Sequence, residues 1–397
     1  RVKKNKRLTN LLHLASGLFL IPVCYTYVIY PIATILLAKK KTNHQDFHTI
    51  ENAPRITILM AAHNEDLIIE KKIESILACN YPLAQLEIII GTDCCTDRTD
   101  QIISQYAKEY PQIKHQQFDE RQGKVRIINK LVSKSKHELL VLTDANVLFS
   151  EGTLFELAKH FKNSSIGLVD SHMKNYGMSP TGISIPEQSY ISLEVKLKDA
   201  EGKLWGTMMG PFGGCFAMRK SLYKAVPENY LVDDFHLNMN VLEQGALCLH
   251  EPKALVYEDV SNHLSAEFNR KIRISTGNYQ NLVHFAAMLI KSKKIAFTYI
   301  SHKVIRWLSP FFILASLIFA VLTYSDSTMS ALLIYSYLSV TGIVMIDISF
   351  MKAGIHFRLL RYITHFTSMN LALLIGFFRF LKGNSNGIWK RTERLQN

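Results

Sequence analysis

Three apolar runs in this sequence are each followed at once by carboxylates. His63-Asn64-Glu65-Asp66 comes after Ile56–Met60, the stretch Thr92 to Thr99 after Leu86–Ile90, and Thr143-Asp144-Ala145-Asn146 after Leu139–Leu142. Each alone has a structural explanation, since Asp and Asn favour helix caps, and Asp97 is read that way. Three together, with a basic residue among them, point to a shared polar rim. A carboxylate at Asp93 can accept hydrogen bonds from a base edge or a ribose. Asp144 and Asn146 offer oxygen ligands two positions apart, suited to a hard cation that keeps coordination sites open for phosphate. Such a cation neutralises the charge on a diphosphate leaving group. A simple turn is the competing reading of the same residues.

Gln122-Gly123-Lys124 precedes a helical pattern that runs through Asn129. A lysine at a helix N-terminus can help hold an anion, or stand as an ordinary surface lysine. Neither G-x-x-x-x-G-K-[ST] nor G-x-G-x-x-G occurs, so a phosphate-loop NTPase and a dinucleotide fingerprint are excluded. The stretch Gly210-Pro-Phe-Gly-Gly-Cys-Phe216 is a loop that lets backbone approach a ligand. Asp233 and Asp234 then open a helix. Acids there suit the helix dipole, and one of them can also deprotonate an acceptor hydroxyl.

The elements that would position these residues follow from periodicity. Strands are expected at Ile56–Met60, Leu86–Ile90, Ile113–Phe118 and Leu139–Leu142, with helices over Asp66–Ala78, Asp97–Tyr110 and Lys124–Ser135. That alternation predicts an α/β domain with a mainly parallel sheet and a ligand beyond the carboxyl ends of its strands. Six scattered cysteines lack metal-ligand spacing and read as reduced.

Leu8–Ala38 carries no Asp, Glu, Lys or Arg and exceeds the roughly 20 residues that span a bilayer, so it reads as a membrane anchor. Further hydrophobic stretches cover Trp307–Tyr324, Met329–Phe350 and Tyr362–Phe378, the last containing His365. Between Glu51 and Glu267 stand 29 acidic and 22 basic residues, whereas the flanks hold 24 basic and 4 acidic ones. The basic excess therefore borders the hydrophobic segments and favours anionic lipid over nucleic acid. The basic loop Lys352–Arg361 and the stretch Lys291–Arg306 place the domain on the cytoplasmic side, although Arg1–Arg7 argues for the opposite orientation.

With these residues assembled, the chain resembles the family 2 glycosyltransferases over about Arg55 to Leu282. It is most similar to the membrane-bound branch of cellulose, hyaluronan and poly-N-acetylglucosamine synthases. The resemblance rests on Asn64-Glu65 after the first strand, Asp93 through Thr99, Gly123-Lys124 with Asn129, Asp144-Ala145-Asn146, and Asp233-Asp234. It implies a Rossmann-like, GT-A type nucleotide-sugar-binding domain with flanking transmembrane helices. Asn64, Glu65, Asp93 and Lys124 would contact the donor, a UDP-sugar being expected, and Asp144 with Asn146 would hold Mg2+ or Mn2+. Asp234, the second acid of its pair, would be the catalytic base. Arg270 and Arg273 match part of a Q-x-x-R-W motif and would lie near the pyrophosphate or acceptor, but its Gln is missing and Ile274 replaces its Trp. Cys94-Cys95 likewise replaces a Gly-Ser pair.

The organisation expected is an anchor and linker (1–50), a catalytic domain (51–267), a basic interfacial segment (268–306) and a C-terminal transmembrane region with a basic tail (307–397). The function expected is inverting transfer of a hexosyl or N-acetylhexosaminyl unit to a polysaccharide or lipid-linked acceptor, at the inner membrane with a cytoplasmic domain. The missing Trp favours the alternative of single addition to a lipid or lipid-linked glycan. A non-enzymatic membrane scaffold is the rival from another class.

Overall fold

A computed structural model describes residues 14–42, 46–176, 184–259, 264–355 and 357–383. The basic cluster at 1–7 and the tail beyond 383 lie outside the described residues. Among the described residues eight strands form one sheet: β1 (Ile56–Ala62), β2 (Leu86–Asp93), β3 (Ile113–Phe118), β4 (Leu139–Asp144), β5 (Val147–Phe149), β6 (Ile166–Tyr176), β7 (Cys215–Arg219) and β8 (Leu247–Asp259). Their order is β3-β2-β1-β4-β7-β6-β8-β5. The pairings β1/β2, β1/β4, β2/β3 and β6/β8 are parallel, while β7 and β5 run antiparallel to their neighbours. The sheet is thus mixed, with its parallel half where the alternating pattern placed it. β1 is apolar but for Thr57 and buried but for Ala61, as a strand covered on both faces requires.

Each expected helix forms, slightly shorter than its pattern. α1 is the anchor (Leu14–Ala38), and α2 (Ile69–Leu77), α3 (Thr99–Glu109) and α4 (Lys124–Lys134) connect the parallel strands. After β5 come α5 (Thr153–Ala158), α6 (Ser184–Trp205), α7 (Asp233–Glu243) and α8 (Leu264–His284). One core packs Ile69 and Ile73 of α2, Ile103 of α3 and Leu157 of α5 against Ile58, Ile88 and Val141. The other packs Ile127 and Leu131 of α4, Leu237 of α7 and Tyr279 of α8 against Leu59, Ile89 and Leu140. That second core continues through Phe285, Tyr299 and Trp307, so residues 268–306 are joined to the sheet domain by shared apolar packing.

Among the described residues, three helices are long and apolar enough to cross a membrane: α1, α9 (Lys293–Leu322) and α10 (Thr328–Lys352). Their outward Leu and Ile side chains, such as Leu37, Ile318 and Leu332, are exposed. The third hydrophobic stretch lies in α11 (Arg358–Leu381), which packs on α8. Gly376 lets the two backbones close in, and Ser275 and Thr276 donate hydrogen bonds to the Leu373 and Gly376 carbonyls at 3.1 and 3.3 Å. Arg361, read from sequence as a loop cation, is buried in α11 beside Asp347 of α10, 3.1 Å away. The Tyr30 hydroxyl donates to Glu201 at 2.8 Å and ties α1 to α6.

Candidate active site

β1, β2 and β4 end in register, with Ala62 beside Thr92 and Ala61 beside Asp144, so their trailing residues share one rim. The first part of the rim is a cradle of backbone and side-chain hydrogen bonds. Asp93 is buried, and its two carboxylate oxygens accept from the Gln122 and Gly123 N–H groups at 2.6 and 3.0 Å. Arg121 stands 3.4 Å from the same carboxylate. The Asp93 oxygens thus fix the turn that starts α4, and Gly123 adopts φ 83° there. Asn64 has φ 54°, and its side chain clamps Thr96, accepting from that N–H at 2.8 Å. Asp97 accepts from Thr99 N–H at 3.0 Å, the capping role expected of it. Cys94 sits at φ 53°, a backbone shape that suits glycine better and accounts for the Gly usual there.

A cavity of about 60 Å³ opens over this part of the rim, lined by His63, Glu65, Asp93, Lys124, Asp144 and Asn146 among others. Asn64 does not line it; its place is in the loop contact with Thr96. A second cavity, about 160 Å³, shares Lys124 and Asp144 with the first and adds Gly213, Asp233, Asp234, Glu258, Arg270 and Arg273.

The second part of the rim concentrates charge. Lys124 Nζ lies 2.8 Å from Asp144 and 3.4 Å from Asp233, bridging the end of β4 to the start of α7. Burial alone would lower the Lys124 pKa, but the carboxylates of Asp144, Asp233 and Asp234 hold it above the usual lysine range. Asp234 accepts the Phe235 N–H at 2.8 Å. Burial, and then the neighbouring Asp233 charge, push the Asp234 carboxyl up to about 7. Gly213 adopts φ 81°, and a Cβ there would stand 2.6 Å from Asp234 Oδ2. Its lack of a side chain is what admits the carboxylate. Arg273 donates to the Leu231 carbonyl at 3.0 Å, and Arg270 makes two 2.9 Å bonds to Glu267.

Two features were not foreseen from sequence. Glu258 near the end of β8 faces the second cavity and accepts from Asn146 Nδ2 at 3.2 Å. It follows an apolar run just as the other rim acids do. Beneath the Gly210–Gly214 loop, buried Asp170 receives Lys198 at 2.6 Å, His250 at 3.3 Å and the Phe212 N–H at 3.3 Å. These partners are 28, 80 and 42 residues apart in sequence, so no local spacing announces them.

Among the described residues no three His, Cys, Asp or Glu side chains group closely enough to hold a metal unaided. Asp144 and the Asn146 oxygen fit a Mg2+-like ion that takes one carboxylate and completes its shell from diphosphate and water.

Residues 57–226 match the model of glycosyl transferase family 2. A beta-monoglucosyldiacylglycerol synthase of Nostoc sp. is 23% identical over 71% of this chain and 61% of its own length. A poly-beta-1,6-N-acetyl-D-glucosamine synthase of Staphylococcus epidermidis is 24% identical over 67% of this chain and 63% of its own. The chain therefore spans less than two thirds of the length of these relatives. A solved mannosyltransferase from Pyrobaculum calidifontis, in complex with GDP-Man and Mn2+, shares the fold at a TM-score of 0.69 with 19% identity, over 94% of this chain and 100% of that one. Residues 57–226 are therefore a glycosyl transferase family 2 domain, built on a GT-A-like mixed sheet.

Proposed function

We propose that the protein is a membrane-bound glycosyltransferase that moves a hexosyl or N-acetylhexosaminyl unit from a nucleotide-sugar by an inverting single displacement. The observation that carries this reading is Lys124, held between Asp144 and Asp233 where the two cavities meet, with Asp234 alongside at a pKa of about 7. The nucleotide occupies the smaller cavity, with Glu65 and Asp93 on its walls. The diphosphate lies toward Lys124 and Asp144, and the sugar and acceptor fill the larger cavity. A divalent cation held by Asp144 and Asn146 supplies positive charge to the leaving diphosphate.

The remaining work falls to the chain's own side chains. Asp234 takes the acceptor's hydroxyl proton as that oxygen bonds to the anomeric carbon, and the bond to the diphosphate breaks with its electron pair. A base with a pKa near the working pH is suited to this. Lys124 and Arg273 offset the charge that accumulates on the leaving group. One displacement on one face inverts the anomeric configuration. The likeness to a poly-beta-1,6-N-acetyl-D-glucosamine synthase and to a beta-monoglucosyldiacylglycerol synthase supports either a glycan or a lipid acceptor. α1, α9 and α10 hold the domain at the inner membrane, and use of nucleotide-sugars requires it to face the cytoplasm. Impermeant labelling of single cysteines on intact cells tests that side: labelling within residues 55–267 would overturn it.

The activity is tested by incubating the full chain in lipid nanodiscs with labelled UDP-glucose, UDP-N-acetylglucosamine and GDP-mannose. Release of nucleoside diphosphate from at least one, lost on chelation, is expected. No turnover of any nucleotide-sugar, with bilayer lipids and glycan acceptors present, would contradict the proposal.

A further inference from the structure

The larger site cavity does not end at Asp234. It shares Phe212, Asp234, Glu258, Arg270 and Ile274 with a cavity of about 220 Å³ that runs toward α6 and α9. That one shares Tyr190, Lys271, Ile274, Asn278, Arg306 and Trp307 with a third of about 380 Å³. Ile274 lines all three, at the position where Trp would stand in the Q-x-x-R-W motif. The walls of the third cavity come from α1, α6, α8, α9 and α11, the elements that meet the bilayer or pack against those that do.

Its lining changes in character along the way. The wall of the middle cavity carries a charged cluster: Glu194 receives Arg306 at 2.8 Å and Lys303, with buried His302 behind it at 2.7 Å. The third is lined by Leu193, Met369, Leu373 and the rings of Tyr27, Tyr362 and Phe366. Leu193, Tyr362 and Phe366 are 40%, 42% and 37% exposed, so the mouth is rimmed by apolar side chains open to the surroundings. Tyr, Trp, Lys and Arg along one wall of apolar helices is the composition of a bilayer interface.

From this sequence of cavities we infer that the acceptor is a membrane lipid with a free head-group hydroxyl, of the diacylglycerol type. It enters sideways between α6 and α11 with its chains in the third cavity and its hydroxyl at Asp234. The inference rests on the proposed transfer reaction and adds the acceptor and its route. The apolar third cavity suits acyl chains, and a soluble glycan would leave it unfilled. Asp233, Asp234 and Glu258 face the place of the nucleophile beside Arg270 and Arg273, a mixed charge that leaves the choice of head to the proton it must give up. A phosphate oxygen, already ionised, would have no proton for Asp234 to take. In the step itself the lipid oxygen joins the anomeric carbon, the bond to the diphosphate breaks, and the proton passes to Asp234.

The test uses the full chain in phosphatidylcholine nanodiscs with a photoreactive diacylglycerol, its adducts mapped by mass spectrometry. Labelling is expected in residues 190–193 and 362–373, displaced by dioleoylglycerol but not by a soluble oligosaccharide. Leu193→Trp and, separately, Phe366→Arg should each reduce it at least tenfold. Leu332→Trp, on the outer face of α10, should leave it unchanged. Adducts confined to the outer faces of α1 and α10, wild-type labelling in both mouth variants, or stronger displacement by a polyprenyl phosphate would each overturn the inference. Donor turnover without this labelling defeats the lipid route alone, and labelling without any donor turnover defeats the transfer reaction alone.

Discussion

On the β2 side of the rim, Asp93 receives two backbone N–H groups at 2.6 and 3.0 Å, with a guanidinium nearby. On the α7 side, Asp234 receives one at 2.8 Å and has a second acid beside it. The first carboxylate is consumed in building the turn that starts α4. The second is left in a setting that disfavours its charge, so its proton is held near neutrality. Two Asp residues on one rim thus differ because their neighbours differ: one is tied into a turn, and the other holds its proton near neutrality, as the proposed base requires.

Removing Lys124 would break this contrast most severely. Lys124→Met leaves Asp144, Asp233 and Asp234 facing one another without a cation, and kcat/KM should fall by about 10²–10³-fold. Because Lys124 lowers the Asp234 pKa, the midpoint of the rate-against-pH curve should also move upward. An unmoved midpoint would detach the lysine from the base.

The wild-type pH profile is next in size. A carboxyl raised to about 7 is neutral below that pH and unable to accept a proton, so the rate should rise through pH 7 and drop about tenfold per unit below it. Stability has the opposite sign. A raised acid contributes most below its unfolded pKa of about 4 and loses that contribution as pH climbs through about 7. Asp234→Asn should therefore gain stability over wild type at pH 8 relative to pH 4, measured by thermal unfolding. A rate flat from pH 5 to 8 would remove Asp234 from the role of base.

Asp93→Asn sharpens the other half. It removes the charge and one acceptor oxygen, leaving a buried N–H of the Gln122–Gly123 turn unsatisfied, at a cost of about 1–3 kcal/mol. Donor affinity should weaken with it, and the pH midpoint should stay in place. Gly213→Ala is the smallest change: the left-handed backbone costs about 1–2 kcal/mol, and the new Cβ presses on Asp234. Slower transfer with unchanged nucleotide affinity is expected, and equal loss of both would show a wider collapse of the loop.

The parallel half of the fold was legible because buried strands leave unbroken apolar runs; their polar ends named Asp93 and Asp144, and a helix start named Lys124. Asp233 and Asp234 were legible from helix-start chemistry, and the resemblance singled out Asp234; the unequal surroundings of the two acids were not legible. That inequality depends on Gly213 and Lys124, which reach them from other elements. Asn64 shows the limit of a motif, since its side chain serves the loop at Thr96. The Asp170–Lys198–His250 group was invisible for the same reason, being formed only when β6, α6 and β8 meet. Glu258 leaves a readable trace, an acid after an apolar run, but β8 lies beyond the strand–helix alternation that marks the other rim acids.

The central claim is that Asp234 acts as base while the nucleotide side binds independently. The most direct measurement compares wild type with Asp234→Asn in the same nanodiscs, recording donor affinity and single-turnover release of nucleoside diphosphate. The account predicts near wild-type affinity with release slowed by about 10²–10⁴-fold. Release at the wild-type rate would contradict it.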